Sequence, residues 1–158
     1  MISPRRRQVP THDELAVWRA HVETFEIVRA RIEARLHEDS QLSGGDYRVL
    51  LALSEAEGRA MRSSELAAHI EWERSRLSGH LGRMERRGLV RREPCAEDAR
   101  GSWVVLTDEG ELAFHASTMP HLRAIKEEFV DALSPEQLGH LGDAAAAMRH
   151  HLGLDARP

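Results

Sequence analysis

The feature that most constrains the fold of this chain is a change in hydrophobic period at Gly88. Before it, apolar residues recur at the three- and four-residue steps of one helix face: Leu77, Leu81 and Met84. After it, the segments Leu89-Val90-Arg91-Arg92-Glu93 and Ser102-Trp103-Val104-Val105-Leu106 flank a polar stretch at 94–101, which predicts two strands joined by a charged turn. The sequence therefore predicts a helix that passes directly into a β-hairpin.

A second short helix is predicted before the one that ends at Gly88. Ser63 or Ser64 can cap a helix that reaches Ile70, and the next helix runs from about residue 73 to 87. Two short helices in succession suggest a helix-turn-helix. The hairpin that follows is then its wing.

Longer helices are predicted on the N-terminal side of this region. Seven apolar residues at helical spacing define one face of a long first helix: Leu15, Trp18, Val22, Phe25, Val28, Ile32 and Leu36. Ser43 then begins a second helix, because its hydroxyl can accept a hydrogen bond from the backbone of Asp46 in a capping box. Gly58 ends that helix.

On the C-terminal side, Thr107 can cap a helix that continues past Pro120, where we expect a bend because proline removes a backbone donor. Ser134 and Pro135 begin the last helix, which runs to about Leu152. A small winged module cannot bury the apolar faces of the first and last helices by itself. We therefore expect these faces to pack against a second copy of the chain.

Size and composition predict a single domain in the cytoplasm. The 158 residues suit one domain, and the longest apolar runs are too short for a membrane span. The cluster Arg5-Arg6-Arg7 is not followed by an apolar block, so we expect no secretory signal peptide. The single cysteine, Cys95, excludes an internal disulfide framework and agrees with a reducing compartment.

Charge is unevenly distributed along the chain, whose net charge is -4. Between residues 59 and 101, ten arginines face seven acidic residues, which leaves a local surplus of three positive charges. From residue 102 onward, four basic residues face nine acidic ones. A surface that binds nucleic acid, if the chain has one, therefore lies in its middle.

The predicted helix at 73–87 has an outer face that suits the major groove of DNA. At about 100° per residue, Gly79 and Gly82 lie opposite the apolar residues, and arginines flank them. Each exposed glycine costs about 1 kcal/mol of helix propensity but lets the backbone approach a groove closely. The alternative is a solvated basic face with incidental glycines. The candidate DNA contacts on this helix are Arg74, Ser75, Arg76, Ser78, Gly79, His80, Arg83 and Arg86.

The predicted hairpin supplies three further candidate contacts. Asp98 precedes Arg100 by two residues at the tip, so its carboxylate can orient an arginine that enters a minor groove. Ser102, at the start of the second strand, is the third. An isolated Asp-x-Arg is a weak signal, but its position directly after the basic helix strengthens it.

The order and spacing of short motifs in this region resemble the MarR family of bacterial regulators. The motifs are Glu65-Leu66-Ala67, Leu77-Ser78, Leu81, Met84-Glu85, Gly88-Leu89-Val90, Asp98-x-Arg100 and Val105-Leu106-Thr107-x-x-Gly110. The resemblance is close from residue 43 to about 112, and the flanking helices fit in length and pattern. The stretch from Trp72 to Arg76 is an unusual opening for the recognition helix, so the bases that are read cannot be carried over.

The resemblance implies a mainly α fold with a small β-hairpin wing, in one domain over 1–158. It implies a winged helix-turn-helix at 43–106 on a helical dimerisation scaffold formed by 10–40 and 107–153. The implied function is a transcription regulator, interpreted here as a repressor, that binds double-stranded DNA at a palindromic operator as a homodimer. A ligand or oxidant that weakens DNA binding is also implied.

For such a ligand, the sequence suggests a cleft between the scaffold and the winged module, lined by Trp18, Tyr47 and Phe114, that takes a small aromatic or lipophilic compound. The ten histidines lack the spacing of a metal site, so we expect neither a metal nor another cofactor. Cys95 is expected to be an ordinary exposed thiol rather than a redox switch.

The alternative function is a winged-helix module that binds proteins and has no sequence-specific DNA binding. The basic recognition face and the intact wing favour DNA binding over it.

An enzyme is not expected, because the sequence has no glycine-rich phosphate loop, nucleophile motif or close carboxylate pair. The N-terminal arginine cluster either follows DNA phosphates or is disordered.

Overall fold

The structure is a computed structural model that describes residues 9–95 and 98–154, with the backbone alone for residues 98–100. The arginine cluster at 5–7 lies outside the described residues, so neither interpretation of it is tested.

Within these residues the chain is mainly α-helical with one small antiparallel sheet, as the sequence predicts. In chain order, the elements are α1 His12–Ser40, α2 Gly44–Glu55, β1 Ala60–Arg62, α3 Ser63–His69, α4 Arg74–Arg86, β2 Val90–Cys95, β3 Asp98–Leu106, α5 Asp108–Ile125 and α6 Pro135–His151. The helix-turn-helix therefore consists of α3 and α4, and the wing consists of β2 and β3.

The sheet contains one strand more than the sequence predicts. Strand β1 pairs antiparallel with β3, which lies between β1 and β2, and Met61 is paired with Val104. Strand β1 has three residues, too few to produce a recognisable alternation. The hairpin strands also extend beyond the predicted ones, because their outer ends lie in the polar stretch at 94–101 that the sequence predicts as a turn.

Local capping sets where most helices begin. The hydroxyls of Ser43, Thr107 and Ser134 each accept a hydrogen bond from the backbone amide three residues later, at 3.0–3.2 Å. These three predicted caps are confirmed. The predicted cap of α3 is wrong: its N-cap is Arg62, and Ser63 is already helical, because β1 leads straight into α3.

Helix α5 passes through Pro120 without interruption and ends at Ile125. A π-helical turn, Lys126–Val130, follows it, and the amide of Asp131 donates to the carbonyl of Lys126 at 2.8 Å. The predicted continuation of the helix past Pro120 is confirmed. The sequence does not predict the wider π-helical turn. The bend at Pro120 stays a prediction.

The buried core lies mainly in the winged region. Its fully enclosed side chains come from α2, α3, α4 and the hairpin, and include Leu50, Leu66, Leu81, Met84 and Val104. Helix α6 has no buried residue, and α1 has one, Leu36. The terminal helices therefore keep apolar side chains exposed. No helix among the described residues is long and apolar enough to cross a membrane.

A tight corner joins the wing to α5. The Thr107 hydroxyl donates to the carbonyl of Gly88 at 2.6 Å and accepts from the amide of Gly110. Gly110 is buried so closely against this corner that a Cβ there would lie 2.0 Å from the carbonyl oxygen of Leu89. The corner thus holds the end of the helix-turn-helix, the wing and α5 together, and only glycine fits at position 110.

We predict that Gly110→Ala lowers the free energy of unfolding by about 3 kcal/mol, because the added methyl group must displace backbone. The matched control is Gly139→Ala in α6, where a Cβ meets nothing within 4 Å in the described residues. This control should leave stability unchanged or raise it by up to about 1 kcal/mol. Urea denaturation followed by circular dichroism measures both variants, and equal stabilities would contradict the prediction.

Candidate nucleic-acid interface

Helix α4 presents a basic face built around small residues. Leu77, Leu81 and Met84 point into the core. The predicted contacts that are exposed on the other side are Arg74, Ser75, Arg76, Ser78, Gly79, Arg83 and Arg86. A Cβ at Gly79 would meet no described atom within 4 Å, and one at Gly82 would meet only the Arg86 side chain at 3.9 Å. The glycines therefore leave an open strip along the helix.

His80 does not lie on this exposed face, which corrects its prediction as a DNA contact. Its side chain is 10% exposed, and its Nε2 atom lies 2.9 Å from Oδ1 of Asp46 in α2. The helical position of His80 falls at the edge of the apolar face, where a partner on a neighbouring helix decides its orientation. The buried carboxylate of Asp46 is that partner.

Asp46 connects the start of α2 to α4. Its Oδ2 atom accepts hydrogen bonds from the Ser43 amide at 2.9 Å and from Arg87 Nη1 at 2.8 Å. Arg87, which directly follows the last residue of α4, also donates from Nη2 to the Gln41 carbonyl at 2.7 Å, so it ties the end of α4 to the start of α2. Burial alone would raise the pKa of Asp46, but the His80 ring beside it and the hydrogen bonds from Ser43 and Arg87 outweigh burial and hold the pKa well below its usual range.

Two arginines of the exposed face are held by neighbouring side chains. Arg83 Nη2 lies 3.1 Å from Nδ1 of His80, and its Nη1 donates to the Gly79 carbonyl at 3.3 Å. The guanidinium of Arg76 lies over the ring of Trp72, 4.2 Å from its centroid. Sequence reasoning identified these arginines but missed Trp72 and Asp46, because neither lies on the DNA-facing side of a predicted helix.

A polar cleft of about 470 Å³ lies between α3, α4 and the base of the wing. Its lining includes hydroxyls and guanidinium groups from all three: Ser63, Ser64, Arg74, Ser78, Arg92 and Ser102. Arg92 is paired with Glu85 at 2.7 Å, which fixes the strand to α4. The predicted contacts Arg74, Ser78 and Ser102 therefore meet in one cleft whose donors suit a phosphate group.

The tip of the hairpin is described only in part. Asp98 begins β3 opposite Cys95, and Arg100 lies two residues further along the same strand. Their side chains lie outside the described residues, so the orienting contact between them stays a prediction. Cys95 is 7% exposed, which corrects its expectation as an exposed thiol: the end of β2 turns its side chain inward.

A separate cavity of about 330 Å³ lies between α1, α2 and α5. Its lining is mostly apolar and includes Phe25, Val28, Ile32, Tyr47, His121 and Phe129. Burial lowers the pKa of His121, which favours a neutral imidazole in this cavity. No group of three or more potential metal ligands occurs within residues 9–95 and 98–154.

The three predicted ligand-contacting aromatics do not meet in this cavity. Tyr47 lines it, and Phe114 packs against Tyr47 with ring centroids 5.3 Å apart but is itself buried in the core. Trp18 is 62% exposed and is not among the lining residues, so its prediction is wrong for this cavity. It lies about two helical turns, roughly 10 Å, before Phe25 along α1.

Known proteins resemble this chain in sequence. A model of the MarR family matches residues 40–101. The transcriptional regulator HosA of Escherichia coli is 37% identical over 101 residues, which span 64% of this chain and 73% of HosA. The family match contains α2, the helix-turn-helix and part of the wing.

Two solved structures extend the similarity to the flanking helices. AbsC, a MarR family transcriptional regulator from Streptomyces coelicolor, is 36% identical with a TM-score of 0.82, and the match covers 92% of this chain and 98% of AbsC. Sco3205, a MarR family transcriptional regulator from the same organism whose structure was solved in complex with DNA, is 32% identical with a TM-score of 0.85. That match covers 96% of this chain and 94% of Sco3205.

Proposed function

Because this chain belongs to the MarR family of transcriptional regulators, we propose that it binds a palindromic DNA operator as a homodimer and represses transcription. The observation that carries this proposal is the face of α4, where exposed arginines flank a strip without side chains at Gly79 and Gly82. The complex of the similar regulator Sco3205 with DNA supports it.

Helix α4 lies in the major groove in this proposal. The glycine strip lets its backbone approach the base edges, and Arg76 and Arg83 reach guanine from its flank. The polar cleft beside Arg74, Ser78 and Ser102 receives a backbone phosphate, which fixes the register of the helix. Arg100, at the wing, contacts phosphate or a narrow minor groove.

A homodimer accounts for the apolar side chains that the terminal helices leave exposed. They lie on α1, α5 and α6 or directly after it: Val17, Trp18, Leu112, Met119, Leu122, Met148 and Leu152. A single chain offers these residues no partner in its core, whereas a two-fold arrangement buries them on both copies. It also places two α4 helices about one turn of DNA apart, which requires a palindromic operator.

Repression that a ligand relieves is the regulatory part of the proposal. The cavity between α1, α2 and α5 adjoins both the terminal helices and the first helix of the winged region. Its aromatic and aliphatic lining suits a small aromatic compound, and Arg48 in the lining suits a carboxylate on that compound, whereas Arg29 is paired with Glu33 of the same lining. A winged-helix module that binds proteins remains the alternative, and the DNA-binding experiment below separates the two.

We predict that Arg76→Ala and Arg83→Ala reduce the preference for the operator over a scrambled duplex by about 5–150-fold, since a bidentate contact to a base contributes about 1–3 kcal/mol of discrimination. Arg100→Ala should instead weaken binding to both duplexes by similar factors and lower the salt dependence by about one phosphate contact per site. The measurement is binding to both duplexes over a salt series, with the operator selected from random DNA by the wild-type protein.

Arg19→Ala in α1 is the control, because it removes an exposed positive charge outside the interface. It should leave the ratio of operator to scrambled binding unchanged. If Arg76→Ala and Arg83→Ala also leave this ratio unchanged, α4 does not read the bases. A wild-type protein that enriches no DNA sequence would favour the protein-binding alternative.

We predict that sedimentation equilibrium at micromolar concentration gives twice the mass of one chain. The double variant Met148→Glu, Leu152→Glu should shift the protein to monomer, since it places four charges in the proposed interface of each dimer. Leu51→Glu, at an exposed leucine of α2, is the matched control and should remain dimeric. A strictly monomeric wild-type protein would overturn the proposed assembly.

We predict that a compound from a panel of substituted benzoates and naphthoates raises the melting temperature by about 4 °C at saturating concentration and weakens operator binding. Val28→Trp, which fills the cavity, should abolish both effects. Ile27→Trp, at the exposed neighbouring position, should preserve them. If no compound in the panel changes either quantity, the ligand-responsive part of the proposal is wrong.

A further inference from the structure

The ring of His80 lies between two charged groups, a carboxylate that can only accept a hydrogen bond and a guanidinium that can only donate one. On one side, Nε2 is 2.9 Å from the carboxylate of Asp46. On the other side, Nδ1 is 3.1 Å from Nη2 of Arg83. The ring is almost fully buried, whereas Arg83 reaches the exposed face of α4. His80 therefore connects the interior of the winged region to a residue that we propose reads DNA.

These partners assign the tautomer of His80. An ionised carboxylate can only accept a hydrogen bond, so Nε2 carries the proton. A guanidinium group can only donate, so Nδ1 is the acceptor for Arg83. The Nε2–H bond is not aligned with Oδ1 well enough for a regular hydrogen bond, so the contact with Asp46 is mainly electrostatic. A ring with the proton on Nε2 and the lone pair on Nδ1 is the tautomer that both neighbours favour.

Arg83 keeps donors for DNA while it is held. Its guanidinium has five N–H groups, of which one points to His80 and one to the Gly79 carbonyl. The remaining donors can serve a pair of acceptors outside the chain, such as the N7 and O6 atoms of guanine. The contact with His80 therefore limits the rotamers of Arg83 without using up its capacity for base recognition.

The ring of His80 is itself fixed by close packing. It meets the ring of Trp72 edge-on, with centroids 5.0 Å apart. Both rings lie against Gly45 in α2, where a Cβ would come within 2.9 Å of each. The ring of Trp72 also makes a cation–π contact with the guanidinium of Arg76. Both proposed reading arginines thus contact one pair of packed rings, the buried His80 and the partly buried Trp72.

From this geometry we propose that His80 is a positioning residue for operator selectivity: it orients Arg83 toward the bases and does not contact DNA itself. The inference rests on the proposed function. It assigns the two ring nitrogens separate roles, because Nδ1 holds Arg83 for selectivity whereas Nε2 faces Asp46 and joins α4 to α2. Substitutions that preserve one nitrogen at a time can separate these roles.

The test compares His80→Asn with His80→Gln. The amide of asparagine takes the place of Nδ1, so its oxygen can still accept from Arg83, but it does not reach Asp46. The amide of glutamine takes the place of Nε2 and can donate to Asp46, but it leaves Arg83 without its acceptor. We expect His80→Gln to keep a melting temperature close to the wild type and to lower the preference for the operator over a scrambled duplex by about tenfold. We expect His80→Asn to melt earlier and to keep this preference within about twofold.

A coupled variant distinguishes positioning from a general loss of structure. If His80 acts through Arg83, adding His80→Gln to Arg83→Ala should not lower the preference further. A further drop in the double variant, or a preference that follows melting temperature in both single variants, would overturn the proposal. If His80→Asn does not fold, the glutamine variant and the double variant decide alone.

The same binding series separates this inference from the function on which it rests. A wild-type protein that does not discriminate between operator and scrambled DNA overturns the proposed function and this inference with it. A wild-type protein that discriminates, with an unchanged ratio in His80→Gln, overturns only the role of His80.

Discussion

The carboxylate of Asp46 is the interaction on which the arrangement of the winged region depends. It lies at the first turn of α2, where it caps the helix with Ser43, and it also contacts His80 of α4 and Arg87 directly after α4. Hydrogen bonds keep its pKa low despite burial, so it stays ionised at neutral pH. A buried charge of this kind is costly to leave unpaired, which holds α4 in one orientation relative to α2.

Close backbone approach complements this electrostatic contact at two places. Gly45 lets the rings of His80 and Trp72 lie against α2, and Gly110 lets α5 lie against the corner after α4. The carboxylate of Asp46 therefore holds the inner face of α4. The missing side chains at Gly45 and Gly110 allow α2 and α5 to pack closely against this part of the fold. The terminal helices lack such contacts within one chain, and their exposed apolar residues are consistent with a partner copy.

Features governed by neighbours in sequence could be predicted, and those governed by distant partners could not. The caps at Ser43, Thr107 and Ser134 depend on residues three positions away, and the apolar face of α4 follows from helical spacing alone. His80 lies about 60–70° from the centre of that face, so its burial depends on Asp46, 34 positions earlier in the chain. Strand β1, likewise, exists through its pairing with β3 rather than through a pattern of its own.

The contact between Asp46 and His80 also bears on how a regulator of this kind acquires a new target sequence. Positions 75, 79 and 82 face outward, so their side chains can change without disturbing the interior. Position 80 cannot change in the same way, since its partner lies in another helix. Under the proposed function, a recognition helix that is transplanted into this chain keeps its orientation only if its residue at position 80 still matches the first turn of α2, so the two segments have to be exchanged together.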